Sequence, residues 1–252
     1  MLPTLANDFD NFNSNETLMK EEYIKWHSNT LNREMEMLIY GHAGLPIIFF
    51  PTTMGRYYES KDFKLIESVR HFIDNGKVRI YCPDSMDKFS WYNRSAHPVQ
   101  KVQVHDAYDR MIMNEVISHV QYATGYGKVA VAGASFGGYH ALNFGFRHPH
   151  SVSHIISMSG AFDIRTFLGG YYDDSVYFHN PVDFIPNLND PEVHQLKIII
   201  GTSEWDICKG ANEAMHEILN KKGIAHWFDM RGWLQHDWQL WRDMFPHYIS
   251  VI

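Results

Sequence analysis

The sequence predicts an α/β fold: one open, mostly parallel sheet with helices on both faces. Three observations carry that expectation. Short apolar runs of buried-strand type alternate with longer segments of helical spacing, the pattern of parallel strands joined by crossover helices. Gly76, Gly125 and Gly223 stand where those helices should stop, as C-terminal glycines do. No Pro/Ser/Gly-rich linker, charge block or repeat divides the 252 residues, so a single domain over 1–252 is expected, ample for a sizeable core.

In chain order, Glu22 to His27 and Glu34 to Tyr40 alternate in polarity, with Met35, Met37 and Ile39 on one face, and together read as an antiparallel edge hairpin. Such an edge offers a route to a homo-oligomer. Buried strands are expected at Pro46 to Phe50, Val78 to Cys82, Lys128 to Ala132, His154 to Met158, Lys197 to Ile200 and Ala225 to Phe228. Helices are expected at Asp62 to Asn75, Val99 to Ala123, Gly138 to Arg147, Lys209 to Lys222 and Asp237 to Val251. Ligands of such sheets bind at the C-terminal strand ends. Residues 162–190 are too long for an ordinary connection and carry Phe167, Tyr171, Tyr172, Tyr177 and Phe178. They read as a short aromatic cap over a pocket, against the plainer reading of a self-packed excursion.

Composition excludes several function classes. At 45% hydrophobic and 20% charged, the chain is too apolar for disorder. Acidic residues outnumber basic ones, 29 to 22, so a nucleic-acid partner, which needs a basic face, is not expected. Two cysteines, Cys82 and Cys208, supply neither a disulfide framework nor a Cys-rich zinc site, and their scarcity predicts a reducing, cytoplasmic location. Met1 to Glu16 lacks the basic and apolar regions of a secretory signal, and no apolar run is long enough to span a bilayer, so no membrane partner is expected.

The sharpest chemical signal is Gly133-Ala134-Ser135-Phe136-Gly137, a G-x-S-x-G directly after an apolar strand and before a helical segment. A serine at so tight a turn is strained, and glycines let strand and helix close on it. The following helix aims its first amides at the site, where negative charge develops during acyl transfer. A nucleophilic serine needs a base, and the base an acid, in the order Ser, Asp/Glu, His. Asp206 follows one strand, and His236 sits on the loop after the last. The interval holds one helix and one strand. Glu204 and Asp163 remain alternatives for the acid, with Asp206 ranked first and Asp163 second.

These residues resemble the esterase D-like family of α/β-hydrolases, which includes S-formylglutathione hydrolases, feruloyl esterases and mycolyltransferases. The resemblance runs from about Leu45 to the C-terminus. It is carried by Gly133-Ala134-Ser135-Phe136-Gly137-Gly138, Phe146-Arg147-His148-Pro149, Ser157-Met158-Ser159-Gly160 and, most selectively, His236-Asp237-Trp238-Gln239-Leu240-Trp241. It implies the α/β-hydrolase fold, with Ser135 as nucleophile, His236 as base and Asp206 as acid partner. Many members carry His-Gly after the strand that here ends at Phe50, whereas this chain reads Pro51-Thr52-Thr53-Met54-Gly55-Arg56. Backbone amides need no particular side chain, so the oxyanion hole is assigned to the N–H groups of Thr53 and Phe136, with Thr52 the near alternative.

Trp91 and Tyr92 follow the strand Val78 to Cys82 and are expected to wall the substrate pocket; a packed aromatic loop is the plainer reading. Ser85 to Lys88 matches S-x-x-K but lacks its companions, His216-Glu217 lacks the second histidine of H-E-x-x-H, and Gly125 to Lys128 lacks the phosphate-loop spacing. No metal site or cofactor is therefore expected. Among the 16 histidines, His140 is expected to be a packed or surface residue, and His148, His150 and His154 to cluster near a helix end. The expectation is a serine carboxylesterase acting on a small-molecule ester of a small acyl group. The rivals are an acyltransferase using the same acyl-enzyme and a non-catalytic binding protein.

Overall fold

Alternation in the first hairpin turns one side of it to the core. Met35, Met37 and Ile39 of β2 (Arg33–Tyr40) are buried, whereas β1 (Glu21–Ser28) alternates exposed and half-buried residues as an edge strand does. The computed structural model describes residues 19–252; the Met1 to Glu16 stretch read above for a signal lies outside them. The remaining strands are β3 (Leu45–Phe50), β4 (Val78–Pro83), β5 (Val129–Ala134), β6 (Val152–Met158), β7 (Lys197–Trp205) and β8 (Trp227–Gln235). All eight form one sheet in the order β1-β2-β4-β3-β5-β6-β7-β8, antiparallel at the hairpin and parallel from β4 onward.

The central strands are apolar throughout because both of their faces are covered. Ile48 and Phe50 of β3 join one core cluster, and Ile47 and Phe49 the other. The first cluster lies under a long helical rod, α6 (Phe136–Arg147) and α9 (Lys209–Lys222), and the second under α10 (Trp238–Ser250) and the segment after β3. The rod is α4 (Pro98–Met111), a π-helical stretch at Ile112–Ile117 and α5 (Ser118–Thr124), where the sequence predicts one helix. Among the described residues no helix is long and apolar enough to cross a membrane.

Three expectations are corrected in detail. The helix expected at Asp62 to Asn75 is three short ones, α1 (Glu59–Asp62), α2 (Leu65–Ser68) and α3 (Arg70–Asp74): Lys64 at φ 61 is left-handed and cannot continue the first, and Val69 at φ −113 and ψ 10 departs from helical geometry between the second and third. The apolar spacing still serves, since Leu65, Ile66, Val69 and Ile73 are all buried. The segment 162–190, where the sequence predicts no helix, holds α7 (Asp174–Tyr177), α8 (Pro181–Phe184) and 3-10 turns at Arg165–Phe167 and Ile185–Asn187. Last, β7 and β8 run past their apolar stretches. β6 pairs with β7 only as far as Gly201, beyond which β7 and β8 continue as a two-stranded ribbon to Trp205 and Gln235.

Candidate active site

Ser135 stands between β5 and α6 at φ 55 and ψ −121, a conformation that costs a non-glycine residue about 1–3 kcal/mol. Close packing imposes it. A Cβ on Gly133 would lie 2.2 Å from the Gly137 carbonyl oxygen, and one on Gly137 would lie 2.4 Å from that of Phe50. The two glycines therefore let strand, helix and the end of β3 touch backbone to backbone. The Ser135 N–H donates to the Met158 carbonyl at 2.8 Å, and the side chain remains half-buried and reachable.

The ribbon of β7 and β8 delivers the other two groups. His236 Nε2 lies 2.9 Å from Ser135 Oγ, and His236 Nδ1 lies 2.7 Å from Asp206 Oδ1. A carboxylate at Nδ1 enforces the tautomer in which that nitrogen carries the proton, so Nε2 is left to accept from the serine. Asp206 also accepts from the Cys208 amide at 2.8 Å and from Thr202 Oγ1 at 3.1 Å. Burial works to raise its pKa, but His236, the Ser159 hydroxyl and the Cys208 amide hold the carboxyl below its ordinary range. For His236 burial favours the neutral ring, yet the hydrogen bonds to Asp206 and Cys208 prevail and lift it to about 9. The ring is braced edge-on by Trp241 at 5.2 Å, whose Nε1 donates to Ser159 Oγ at 3.0 Å.

The rival acids are engaged elsewhere. Glu204 is exposed and pairs with Lys209, and Asp163 pairs with Arg165. Among the described residues one group has ligand atoms close enough to hold a metal ion, within 4.8 Å of one another: Asp206, Cys208 and His236. Two of its three members are already bonded to each other, so a cation there would compete with the Asp206–His236 bond.

The loop after β3 faces the same site. Thr53 Oγ1 lies 3.2 Å from the Tyr92 hydroxyl, and the Tyr92 ring packs edge-on against Phe136 at 5.2 Å and against Phe167 at 4.8 Å. Tyr92 thus stands beside the serine, with Phe167 of the 162–190 segment against it. Trp91 does not wall an open pocket: it is 1% exposed, packed on His105 at 4.9 Å within an interior cluster that includes Phe136 and Tyr139. In this adjacent pair the chain buries the first side chain and turns the second to the rim. On the ribbon, Trp205 and Trp233 meet edge to face at 5.6 Å, and both are exposed, as is Ile207.

Sequence reasoning missed Ser159, Thr202 and Trp241 as supports of the acid and base. The available signals were Ser159 within Ser157-Met158-Ser159-Gly160 and the second Trp of the histidine loop; Thr202 had none. His140 is packed, as expected, but it is no spectator to charge, since its Nε2 lies 2.8 Å from buried Asp87. His148 and Arg147 share buried Asp109 at the end of α6.

Comparisons with known proteins bear on this arrangement. A family model described as "Putative esterase" matches residues 28–248. No curated protein matches the sequence. Among solved structures, a ferulic acid esterase superposes with a TM-score of 0.75 at 15% identity, covering 92% of this chain and 97% of that one. An S-formylglutathione hydrolase from Staphylococcus aureus gives 0.69 at 14%, covering 92% and 98%. A ferulic acid esterase from the anaerobic fungus Anaeromyces mucronatus gives 0.70 at 13%, covering 92% and 90%. At such identities the likeness speaks to the fold, which is that of the α/β-hydrolases.

Proposed function

From the chain's membership of the putative esterase family, we propose that it is a serine carboxylesterase working through Ser135, His236 and Asp206. The observation that carries this reading is the unbroken line of hydrogen bonds, 2.9 Å from Ser135 Oγ to His236 Nε2 and 2.7 Å from His236 Nδ1 to Asp206. Ser135 Oγ attacks the ester carbonyl while His236 takes its proton, and a tetrahedral oxyanion forms. Collapse expels the alcohol, which receives that proton from His236, and leaves the acyl group on Ser135. Water, deprotonated by His236, then attacks the acyl-enzyme; the Ser135 Oγ–acyl bond breaks, His236 returns the proton to Oγ and the acid leaves. Asp206 fixes the tautomer and stabilises the imidazolium.

The oxyanion is assigned to the amides of Phe136, at the start of α6, and Thr53. Elimination supports Thr53. The Thr52 N–H donates to Glu59 at 2.9 Å, Met54 N–H to Asp87 at 3.2 Å and Gly55 N–H to the Thr52 carbonyl at 2.9 Å, whereas Thr53 N–H has no partner among the described residues. The substrate is a small-molecule ester with a small acyl group. Tyr92 and Phe167 supply one wall, in keeping with 162–190 as a cap. Two unpaired cysteines support a reducing, cytoplasmic setting. A fluorophosphonate probe is expected to label Ser135 stoichiometrically, read as a mass shift on the peptide that contains it. Labelling at another residue, or none, overturns the reading.

The pH dependence follows from His236. Only the neutral ring accepts a proton, so kcat/KM should rise with pH toward a plateau above about 9. Stability runs the other way: a raised histidine pKa contributes fully below the ordinary value of 6.5 and is lost as pH climbs through about 9. The lowered carboxyl of Asp206 contributes above its ordinary 3.8 and is lost as pH falls through its lowered value. Cys208→Ala removes one of the contacts that lift His236, so it should move the pH–rate midpoint downward and raise activity at pH 7. An unchanged midpoint would show that Cys208 does not bias the base.

A further inference from the structure

The loop Pro51-Thr52-Thr53-Met54-Gly55 is held in a way that folding of the sheet does not require. Thr52 is gripped twice by Glu59, through its N–H to Oε2 at 2.9 Å and its hydroxyl to Oε1 at 2.7 Å. Gly55 is what admits that carboxylate, since a Cβ there would lie 2.2 Å from Glu59 Oε2. On the far side of Thr53, Met54 adopts φ 54, a left-handed conformation unfavourable for a residue with a side chain, and that side chain is 50% exposed. Burial of its own side chain therefore does not hold Met54 there. Its N–H donates to Asp87 Oδ2 at 3.2 Å, and Asp87 is 1% exposed. The other oxygen of Asp87 faces His140 Nε2 at 2.8 Å, and His140, 3% exposed, rides on α6 one turn beyond Ser135.

A buried carboxylate and imidazole are a costly pair to keep in a core, and a simple packing role would be met by apolar residues of the same shape. What this pair does that apolar residues cannot is fix one backbone N–H relative to the helix that bears the nucleophile. We propose that Asp87, braced by His140, acts with Glu59 as a positioning device for the oxyanion hole: the two carboxylates take the amides on either side of Thr53, so that the Thr53 N–H alone is presented to the developing charge. The inference rests on the esterase reading above and adds the residues that make its second oxyanion donor. It also accounts for the departure from His-Gly at this loop, because the clamp acts on the backbone and leaves the side chain at 53 free to meet Tyr92.

The test is kinetic. Asp87→Asn keeps an oxygen for the Met54 N–H and offers its amide nitrogen to His140 Nε2, so it removes the charge but spares the clamp and serves as the mild control. Asp87→Leu/His140→Phe replaces both partners by apolar groups of similar shape, which removes the clamp without leaving an unpaired buried charge. Loss of a whole oxyanion donor costs about 10²–10³-fold in comparable sites, so a displaced donor should lower kcat/KM for a nitrophenyl ester by about 10–100-fold. Inhibition by an alkylboronic acid, whose adduct with Ser135 places an oxygen in the hole, should weaken by the same factor. KM for the ester and the thermal midpoint of the double variant should stay close to the parent. A merely structural role would move the midpoint and spare the boronate's advantage over substrate. A folded double variant whose kcat/KM and boronate affinity stay within about two-fold of the parent overturns the proposal. If Ser135→Ala remains active, the esterase reading fails instead, so the two failures are separable.

Discussion

Ser135→Ala should reduce ester hydrolysis by at least about 10⁴-fold, leaving only what the oxyanion donors and substrate binding supply over water. The variant should fold normally. The hydroxyl makes one hydrogen bond, to His236 at 2.9 Å, while the backbone at φ 55 is held by the Gly133 and Gly137 close approaches and by the N–H hydrogen bond to the Met158 carbonyl, none of which involves the side chain. An unchanged circular dichroism spectrum and thermal midpoint, with no burst of nitrophenol and no fluorophosphonate label, is the expected result. Retention of most of the activity would mean that another nucleophile does the work. If parent and variant alike were inactive on a broad panel of esters and thioesters, the binding-protein alternative would gain. If the parent transferred its acyl group to an added alcohol in preference to water, the acyltransferase would.

The second large effect is Asp206→Asn, expected to lower kcat by about 10⁴-fold at neutral pH through the tautomer rather than the charge alone. An asparagine amide turned toward Nδ1 donates to it, which puts the ring proton on Nε2 and points a donor at Ser135 Oγ. The Cys208 N–H and Thr202 hydroxyl, at 2.8 and 3.1 Å, both need an acceptor. The two use different oxygens: the Cys208 N–H shares Oδ1 with His236 Nδ1, and Thr202 takes Oδ2, so an asparagine either turns its nitrogen to Nδ1 and strands the Cys208 N–H, or keeps its oxygen there and faces the imidazolium without a charge. Asp163→Asn and Glu204→Gln, at the two rival acids, should change kcat less than about three-fold, because their carboxylates are spent on Arg165 and Lys209. A large loss at Asp163 with little at Asp206 would reverse the assignment.

The contrast between what the sequence made legible and what it hid has a physical basis. G-x-S-x-G could be read because its glycines answer a local demand, backbone against backbone at distances that a methyl cannot share. The parallel strands were equally plain because a strand buried on both faces must be apolar throughout. The ends of β7 and β8 were not, since beyond Gly201 their composition turns polar and aromatic although Thr202 and Ser203 are still buried. Lys64 gave no sign of breaking a helix, because apolar spacing continued across it. Trp91 and Tyr92 show the limit most simply: two adjacent aromatics look alike in a sequence, and only the packing decides that one is interior and the other at the rim. The Asp87–His140 pair was invisible for a similar reason, being 53 positions apart and joined only when α6 packs over the loop.

The overhanging ribbon bears on how the protein is switched on and off by temperature alone. The proposed nucleophile and proton-transfer groups stand on separate mechanical parts: Ser135 at the centre of the sheet, Asp206 and His236 at the tip of a two-stranded extension whose strands pair only with each other past Gly201. Fraying of that tip breaks the 2.9 Å contact to Ser135 while the eight-stranded core stays intact. The competent fraction of molecules is then set by a local opening equilibrium rather than by global unfolding. Catalysis is expected to fade some degrees below the melting transition, in step with amide exchange at 202–205 and 230–235 and ahead of exchange in β3, β5 and β6.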